Sequence, residues 1–357
     1  MLKPRARDLG IKIGSLQPGG WNSITDVAGV AVGYSTLLRD SPTAVRTGVT
    51  AVWPRPFVEK DPVFAGLFSF NGYGELTGSH WVIEQGIVQA PICITSTNST
   101  GLVRDAIVEH LICRSDEDHP VVQLPVVGET WDGCLSDINA LAITKEMVFE
   151  ALVTAQSGSI AEGNVGGGTG MICHEFKGGT GTSSRRTPGG YTVGVIVQAN
   201  YGRRELLTIQ GVPIGRAIGI EEIPSPTRDV ADGGSIIVII ATDAPLLPIQ
   251  CQRLARRATV GLGRVGGIGA NGSGDIFLAF STANHISDGK DVHSVQMLSP
   301  QMMTPLFQAV AEATEEAIIN AMIAAESMTG CGGRTAYALP HDRLLDVLNT
   351  YRWSPAT

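Results

Sequence analysis

Apolar and polar positions alternate along this chain with two different periods, and short glycine-rich breaks separate the runs. Six runs are apolar or β-branched over eight to ten residues: TGVTAVWP (47–54), APICITST (90–97), VVQLPVVG (121–128), YTVGVIVQAN (191–200), SIIVIIAT (235–242) and DIFLAFST (275–282). Several carry apolar residues at odd and even positions alike, which predicts strands covered on both faces. A helical period appears at 75–86, 100–113, near 246–259 and from about 304 to 328. In the last of these, Leu306, Phe307, Val310, Ala313, Ala317, Ile318, Ala321 and Met322 form one apolar stripe. Thr304 and Pro305 suit the N-cap and first helical position there, and Gly330 suits a stop. Buried strands separated by helices predict a layered α/β domain.

Glycine changes that picture most. Its 44 copies gather in knots such as GGGTGM (166–171), DGGS (232–235) and GLGRVGGIGANGSGD (261–275), beside structured segments, as tight turns and close backbone approaches around a site require. Only the polar stretch 176–190, FKGGTGTSSRRTPGG, reads as a flexible loop. A length of 357 residues and 43% apolar content suffice for a sizeable core. The net charge of −8 and the scattered Lys and Arg give no basic face, which argues against a nucleic-acid partner and for a small molecule. No run approaches ~18 uninterrupted apolar residues and the basic N-terminus has no apolar stretch behind it, so the expectation is a cytoplasmic protein with no membrane partner. Six cysteines and seven histidines are dispersed without a C-x-x-C pair, which fits reduced thiols; CHEF (173–176) holds one His beside one Glu, a weak metal signal.

Two motifs invite misreading. Gly261, Gly263 and Gly266 satisfy G-x-G-x-x-G, but a helical pattern precedes them where a dinucleotide site needs a strand, so a nucleotide-dependent oxidoreductase stays only as a rival. Ser273 in ANGSGD lacks the first glycine of a nucleophile elbow and comes before a strand rather than after one. Ser235 is different. It follows Gly233 and Gly234 and opens the most β-prone run of the chain. A cut between Gly234 and Ser235 would make it a chain terminus whose α-amine, with a reference pKa of about 7.7–8.0, takes the hydroxyl proton without any histidine. The same position also suits a plain turn serine.

Together, GGSIIVIIATDAPLLP, VVGETWDGCLSDIN (126–139), GNVGGGTGM (163–171), VQANYG (197–202), GANGSGDIFLAFSTAN (269–284) and NGYGELTG (71–78) resemble the L-aminopeptidase D-amidase/D-esterases and β-peptidyl aminopeptidases, across most of the chain. The resemblance implies a four-layer α/β/β/α sandwich forming a single catalytic domain over 1–357. It also implies self-cleavage at Gly234–Ser235 into an α subunit, 1–234, and a β subunit, 235–357, the two fragments staying together in an oligomer of α/β pairs. Ser235 matches the nucleophile and Asn200 the oxyanion-hole asparagine. Ser273 and Asp275 match a serine and a carboxylate that orient the nucleophile and its new amine, and period-two spacing at a strand entrance points both to one face. Glu129 matches the acid that receives the substrate's free amine, with Trp131 beside it. No cofactor or metal is implied. Two positions depart from the pattern: Trp131 stands where some relatives have Tyr, and Asp275 is one methylene shorter than the Glu of the β-peptidyl branch. The expected activity is removal of an N-terminal L-, D- or β-amino acid from short peptides, amides or esters. An uncleaved, inactive scaffold of the same fold is the second rival.

Overall fold

The structure, a computed structural model, describes residues 3–115, 122–227, 234–287 and 291–353. In chain order, β1 (Ala31–Arg39) and β2 (Val45–Trp53) come first, and β3 (Val63–Gly72) leads through α1 (Ser79–Gln85) to the short β4 (Ile87–Val88). β5 (Ile92–Ser96), α2 (Thr100–Arg114), β6 (Val126–Thr130) and α3 (Lys145–Val153) follow. The two-residue strands β7 (Ile172–Cys173) and β8 (Phe176–Lys177) precede β9 (Gly179–Arg186), β10 (Thr192–Asn200), the single-turn α4 (Ile214–Ala217) and β11 (Gly234–Thr242). The last elements are α5 (Pro248–Ala255), α6 (Ala258–Val265), β12 (Ser273–Ser281), α7 (Met303–Ile323), a β13–β14 pair (Met328–Thr329 and Thr335–Ala336) and α8 (His341–Trp353).

Two sheets organise these elements. One runs β1-β2-β5-β6, the other β4-β3-β12-β11-β10-β9. The central pair of the larger sheet, β11 and β12, is parallel, and its neighbours β10 and β3 are antiparallel to it. Alternation along β11 explains why its run is apolar at every position: Ile237, Ile239 and Ala241 face the other sheet, and Ile236, Val238 and Ile240 face helices. Three apolar layers result. Ile237, Ile239, Leu278 and Phe280 meet Val52, Ile92 and Ile94 between the sheets. Val49, Cys93 and Val127 meet Val103 and Ile107 of α2 and Val148 and Leu152 of α3. Val195, Val238 and Phe277 meet Leu254, Leu262, Val310 and Ile318 of α5, α6 and α7. The order of layers is therefore α/β/β/α.

Several expectations need correction. Of the stretch 176–190 only 187–190 is a turn: Gly179–Arg186 is a strand at the sheet edge, buried up to Arg185. Its polar side chains are bonded internally, Thr182 Oγ1 donating to Val195 O at 2.7 Å and Ser184 Oγ to Asp26 Oδ2 at 2.6 Å. At Gly181 a Cβ would sit 2.0 Å from Ala317 O, so glycine lets α7 lie directly on the strand. The segment near 246–259 is two helices, with Gly261 and Gly263 inside the second and Gly266 as its left-handed C-cap. That placement removes the phosphate-binding loop a nucleotide site needs. Helix α7 begins at Met303 with Met302 as cap and ends at Ile323, so neither Thr304 nor Gly330 bounds it. Strands β1 and β3 and helices α3 and α8 lie outside the runs that the sequence pattern predicts. The run 121–128 becomes β6 only from Val126, and residue 121 lies outside the described residues.

Candidate active site

β11 opens with Gly234 and Ser235, and its register places them among the other expected residues. Ser235 lies opposite Asn200 on one side and Gly274 on the other, while Gly234 lies opposite Ser273. The Ser235 side chain shares the parity of Ile237 and so faces the other sheet. Asn200 shares that face with Ile196 and Gln198; Gln198 Nε2 confirms the direction by donating to Thr95 O and Thr130 Oγ1 across the layer.

Asn200 ends β10 but makes no turn of its own. Its Oδ1 accepts from Ile172 N at 2.8 Å and its Nδ2 donates to Trp131 O at 2.8 Å. A carboxamide has two N–H donors, and the bond to Trp131 O occupies one of them. Trp131 itself is 37% exposed, at the rim of the site.

Ser273 and Asp275 do share a face, as the spacing predicts: Ser273 Oγ donates to Asp275 Oδ1 at 2.6 Å. That face is the helix side, because Phe277 and Ala279 continue it into the helix-side core. The pair therefore flanks the backbone of the junction rather than the Ser235 hydroxyl. Ile236 N–H helps hold Asp275, yet burial dominates and pushes its carboxyl up to about 6.

A cavity of about 380 Å³ opens at these strand ends, reaching Asn200, Trp131, Gly234, Ser273 and Asp275. It also reaches Tyr201 and Glu175, which sequence reasoning passed over. Tyr201 follows Asn200; its ring meets His174 edge-on at 5.0 Å, and its hydroxyl is buried with no partner among the described residues. His174 and Glu175 form the β7–β8 turn with φ of 47° and 61°, a left-handed pair held by the buried Arg204, whose Nε donates to His174 O and Nη2 to Glu175 O. His174 Nδ1 lies 2.9 Å from Arg203 O, and burial lowers the imidazole to about 4.

Glu129 is not in the cavity wall. It is the penultimate residue of β6 in the four-stranded sheet, buried, accepting from Glu75 N at 3.0 Å and from Thr97 Oγ1. Burial pushes its carboxyl up. Gly74 bridges it to the rest: a Cβ there would lie 3.0 Å from Gly274 Cα and 3.1 Å from Glu129 Oε1. Three residues on, Asp132 is a second buried acid that sequence reasoning missed, accepting from Ser96 Oγ at 2.9 Å and pushed to about 6 by burial. Its signal was present in GETWDG, but nothing local separates it from a loop acid.

The profile of peptidase family S58 matches residues 22–336. The chain belongs to peptidase family S58. It is 48% identical to a β-peptidyl aminopeptidase of Sphingosinicella microcystinivorans over 371 aligned positions, covering 98% of this chain and 93% of that protein. A second, from Sphingosinicella xenopeptidilytica, is 43% identical over 366 positions, covering 97% and 91%. Among solved structures, the Ochrobactrum anthropi L-aminopeptidase D-Ala-esterase/amidase, described as a prototype serine aminopeptidase with a variant Ntn hydrolase fold, superposes with a TM-score of 0.92 at 43% identity, over 98% of this chain and 99% of that one. A Burkholderia sp. β-aminopeptidase gives 0.92 at 47% identity, over 99% and 100%. The four layers are thus those of an S58 peptidase, and an oxidoreductase reading of the glycine motif is set aside.

Proposed function

We propose that this S58 member is a self-processing aminopeptidase that acts through Ser235. In maturation, Ser235 Oγ attacks the Gly234 carbonyl, the Gly234–Ser235 C–N bond breaks, and water hydrolyses the resulting ester, leaving fragments 1–234 and 235–357 in one catalytic domain. In turnover, the freed α-amine of Ser235 takes the hydroxyl proton as Oγ bonds to the substrate carbonyl, then returns it to the leaving amine; water deacylates the enzyme. The second N–H of Asn200 stabilises the oxyanion, an effect of about 3–4 kcal/mol for one donor. Ser273 and Asp275 hold the amine. Glu129 receives the free amine of the substrate, which explains selection against blocked N-termini. Substrates are short peptides, amides or esters bearing an N-terminal L-, D- or β-amino acid. Assembly of α/β pairs into an oligomer in the cytoplasm completes the reading.

The observation that carries this reading is the register: Ser235 stands directly between Asn200 and Gly274, with Ser273 and Asp275 flanking its backbone. His174, at about 4 and engaged with Arg203 O, is a poor base near neutral pH. Intact mass should show fragments 1–234 and 235–357, and Ser235→Ala should stay one inactive chain; an active full-length enzyme would sink the proposal. A serine-directed acylating inhibitor should label the peptide that begins at Ser235. Label on Ser273 would assign the nucleophile wrongly.

A further inference from the structure

The strand that borders the site on its outer side, β3, ends in Phe70, Asn71 and Gly72, and its register with β12 is broken there. Asp275 lies opposite Asn71 but the next residue, Ile276, lies opposite Ser69, so β3 bulges at Phe70. The bulge turns Asn71 towards the loop that leads into β12. Asn71 Nδ2 lies within bonding reach of three carbonyls, Ala270 O at 3.1 Å, Asn271 O at 3.2 Å, and Ser273 O. Three acceptors on one side leave a single sensible orientation for the amide, nitrogen inward. Ser273 N closes the same turn on Ala270 O at 2.8 Å. Beside it, the ring of Phe70 covers Gly269. The turn 269–273 is therefore held from β3 by two adjacent side chains, one polar and one apolar.

What the turn controls is the position of Ser273, whose Oγ bonds Asp275 at 2.6 Å. We infer that Asn71 is a positioning residue for the Ser273–Asp275 pair: through the carbonyls of residues 270–273 it sets where Ser273 Oγ stands relative to the Gly234–Ser235 junction. The Asn71 side chain makes no hydrogen bond to the junction or to the Asp275 side chain among the described residues, so it acts through the backbone of the turn. Only an N–H donor serves. An aspartate of the same shape would turn a lone pair on all three carbonyls. The same β3 exit continues to Gly74 and to Glu75, whose N–H holds Glu129, so one segment references both carboxylate arms of the site.

The inference rests on the reading that Ser273 and Asp275 hold the Ser235 amine, and the test separates the two. The rate of chain cleavage in freshly made precursor is measured for the parent, Asn71→Ala, Asn71→Asp, Ser273→Ala and the Asn71→Ala/Ser273→Ala double variant, with thermal melting alongside. The cleaved fractions are assayed for kcat, KM and pH profile. Both Asn71 variants should cleave about tenfold or more slowly, as expected when the part-buried hydrogen bonds that position a reacting group are lost. Their melting should stay within a few degrees of the parent. In the cleaved enzyme, kcat should fall with KM little changed, and the pH limb of the amine should move. The double variant should be no slower than Ser273→Ala alone, because both act on one group. A defective Ser273→Ala beside normally cleaving Asn71 variants, a multiplicative double variant, or Asn71 variants that melt far below the parent would overturn the inference. A Ser273→Ala that cleaves at the parental rate would instead overturn the role given to Ser273.

Discussion

Two groups of buried carboxylates sit at opposite places in this molecule, and they differ in what neutralises them. On α7, Glu312 and Glu316 face Arg185, at 3.2 Å and 2.6 Å, and Glu316 also meets Arg7 at 2.8 Å. Burial pushes Glu312 up, but bonds from Gln308, the Ser15 and Leu16 backbone and Arg185 outweigh it and hold the carboxyl below its usual range. At the strand ends, Glu129, Asp132 and Asp275 make no ion pair among the described residues; their partners are hydroxyls and backbone N–H groups. All three are pushed up, chiefly by burial. Pairing alone does not decide the direction, since Glu162 beside Arg5 is still raised to about 7 by its burial. The distinction is that the α7 group is closed, its charges met by the fold itself, whereas the strand-end group is built around acids that no cation among the described residues meets. A substrate amine and the Ser235 amine are the cations the proposed chemistry brings to it.

The comparison is broken most directly at Arg185. Arg185→Met strands Glu312 and Glu316 without their shared cation, and the expected loss of stability is about 3–5 kcal/mol by denaturant melting. The molecules that fold should keep the parental preference for free over acetylated N-termini. A loss well under 1 kcal/mol would show that the α7 group is not the closed, structural one.

Removing an acid from the open group should do the reverse. Glu129→Gln should leave folding and cleavage into two chains intact while kcat/KM on free-amine substrates falls by about 2–5 kcal/mol in equivalent free energy, the range for losing one partner of a buried charge pair. Acetylated substrates should be poor for both forms. Equal turnover of acetylated and free substrates by the parent would end the recognition role of Glu129.

The smallest effect sharpens the comparison by pH. In the uncleaved chain, which Ser235→Ala should preserve for measurement, Asp275 has its carboxyl at about 6 against an ordinary 3.8. A carboxyl raised on folding binds its proton more tightly in the folded state. Stability is therefore lost as pH climbs from about 4 to about 6, and that loss persists above. Asp275→Asn in the same background removes it, so the variant should gain on the order of 2 kcal/mol over its parent at pH 8 and almost nothing at pH 3.5. Urea midpoints at the two pH values read the difference, and a gain that is the same at both would mean that Asp275 is not the acid responsible.

Much of this was legible along the chain, and what was legible was local. The apolar parity of residues 236–241 marked a strand covered on both faces, and it is one. The period-two spacing of Ser273 and Asp275 placed them on one face, because a strand's alternation is built into its backbone. The place of Ser235 at the head of β11 followed from the glycines before it and the β-branched run after it.

Contacts between distant residues decided the rest. Gly179–Arg186 looked like a loop because hydroxyls, glycines and arginines do not announce burial; α7 and the N-terminal segment supply the close packing and the carboxylates that bury it. Nothing in GETWDG tells a solvated acid from one under Gly74, and nothing in NGYGELTG says that Asn71 reaches carbonyls about 200 residues away. Hydrophobic periodicity records which side chains leave water, a property each segment holds alone. A buried polar group is stable only where partners converge on it from elsewhere in the chain, so the site's acids, its bulge and the split of Ser235 from Ser273 across one sheet were settled by tertiary structure.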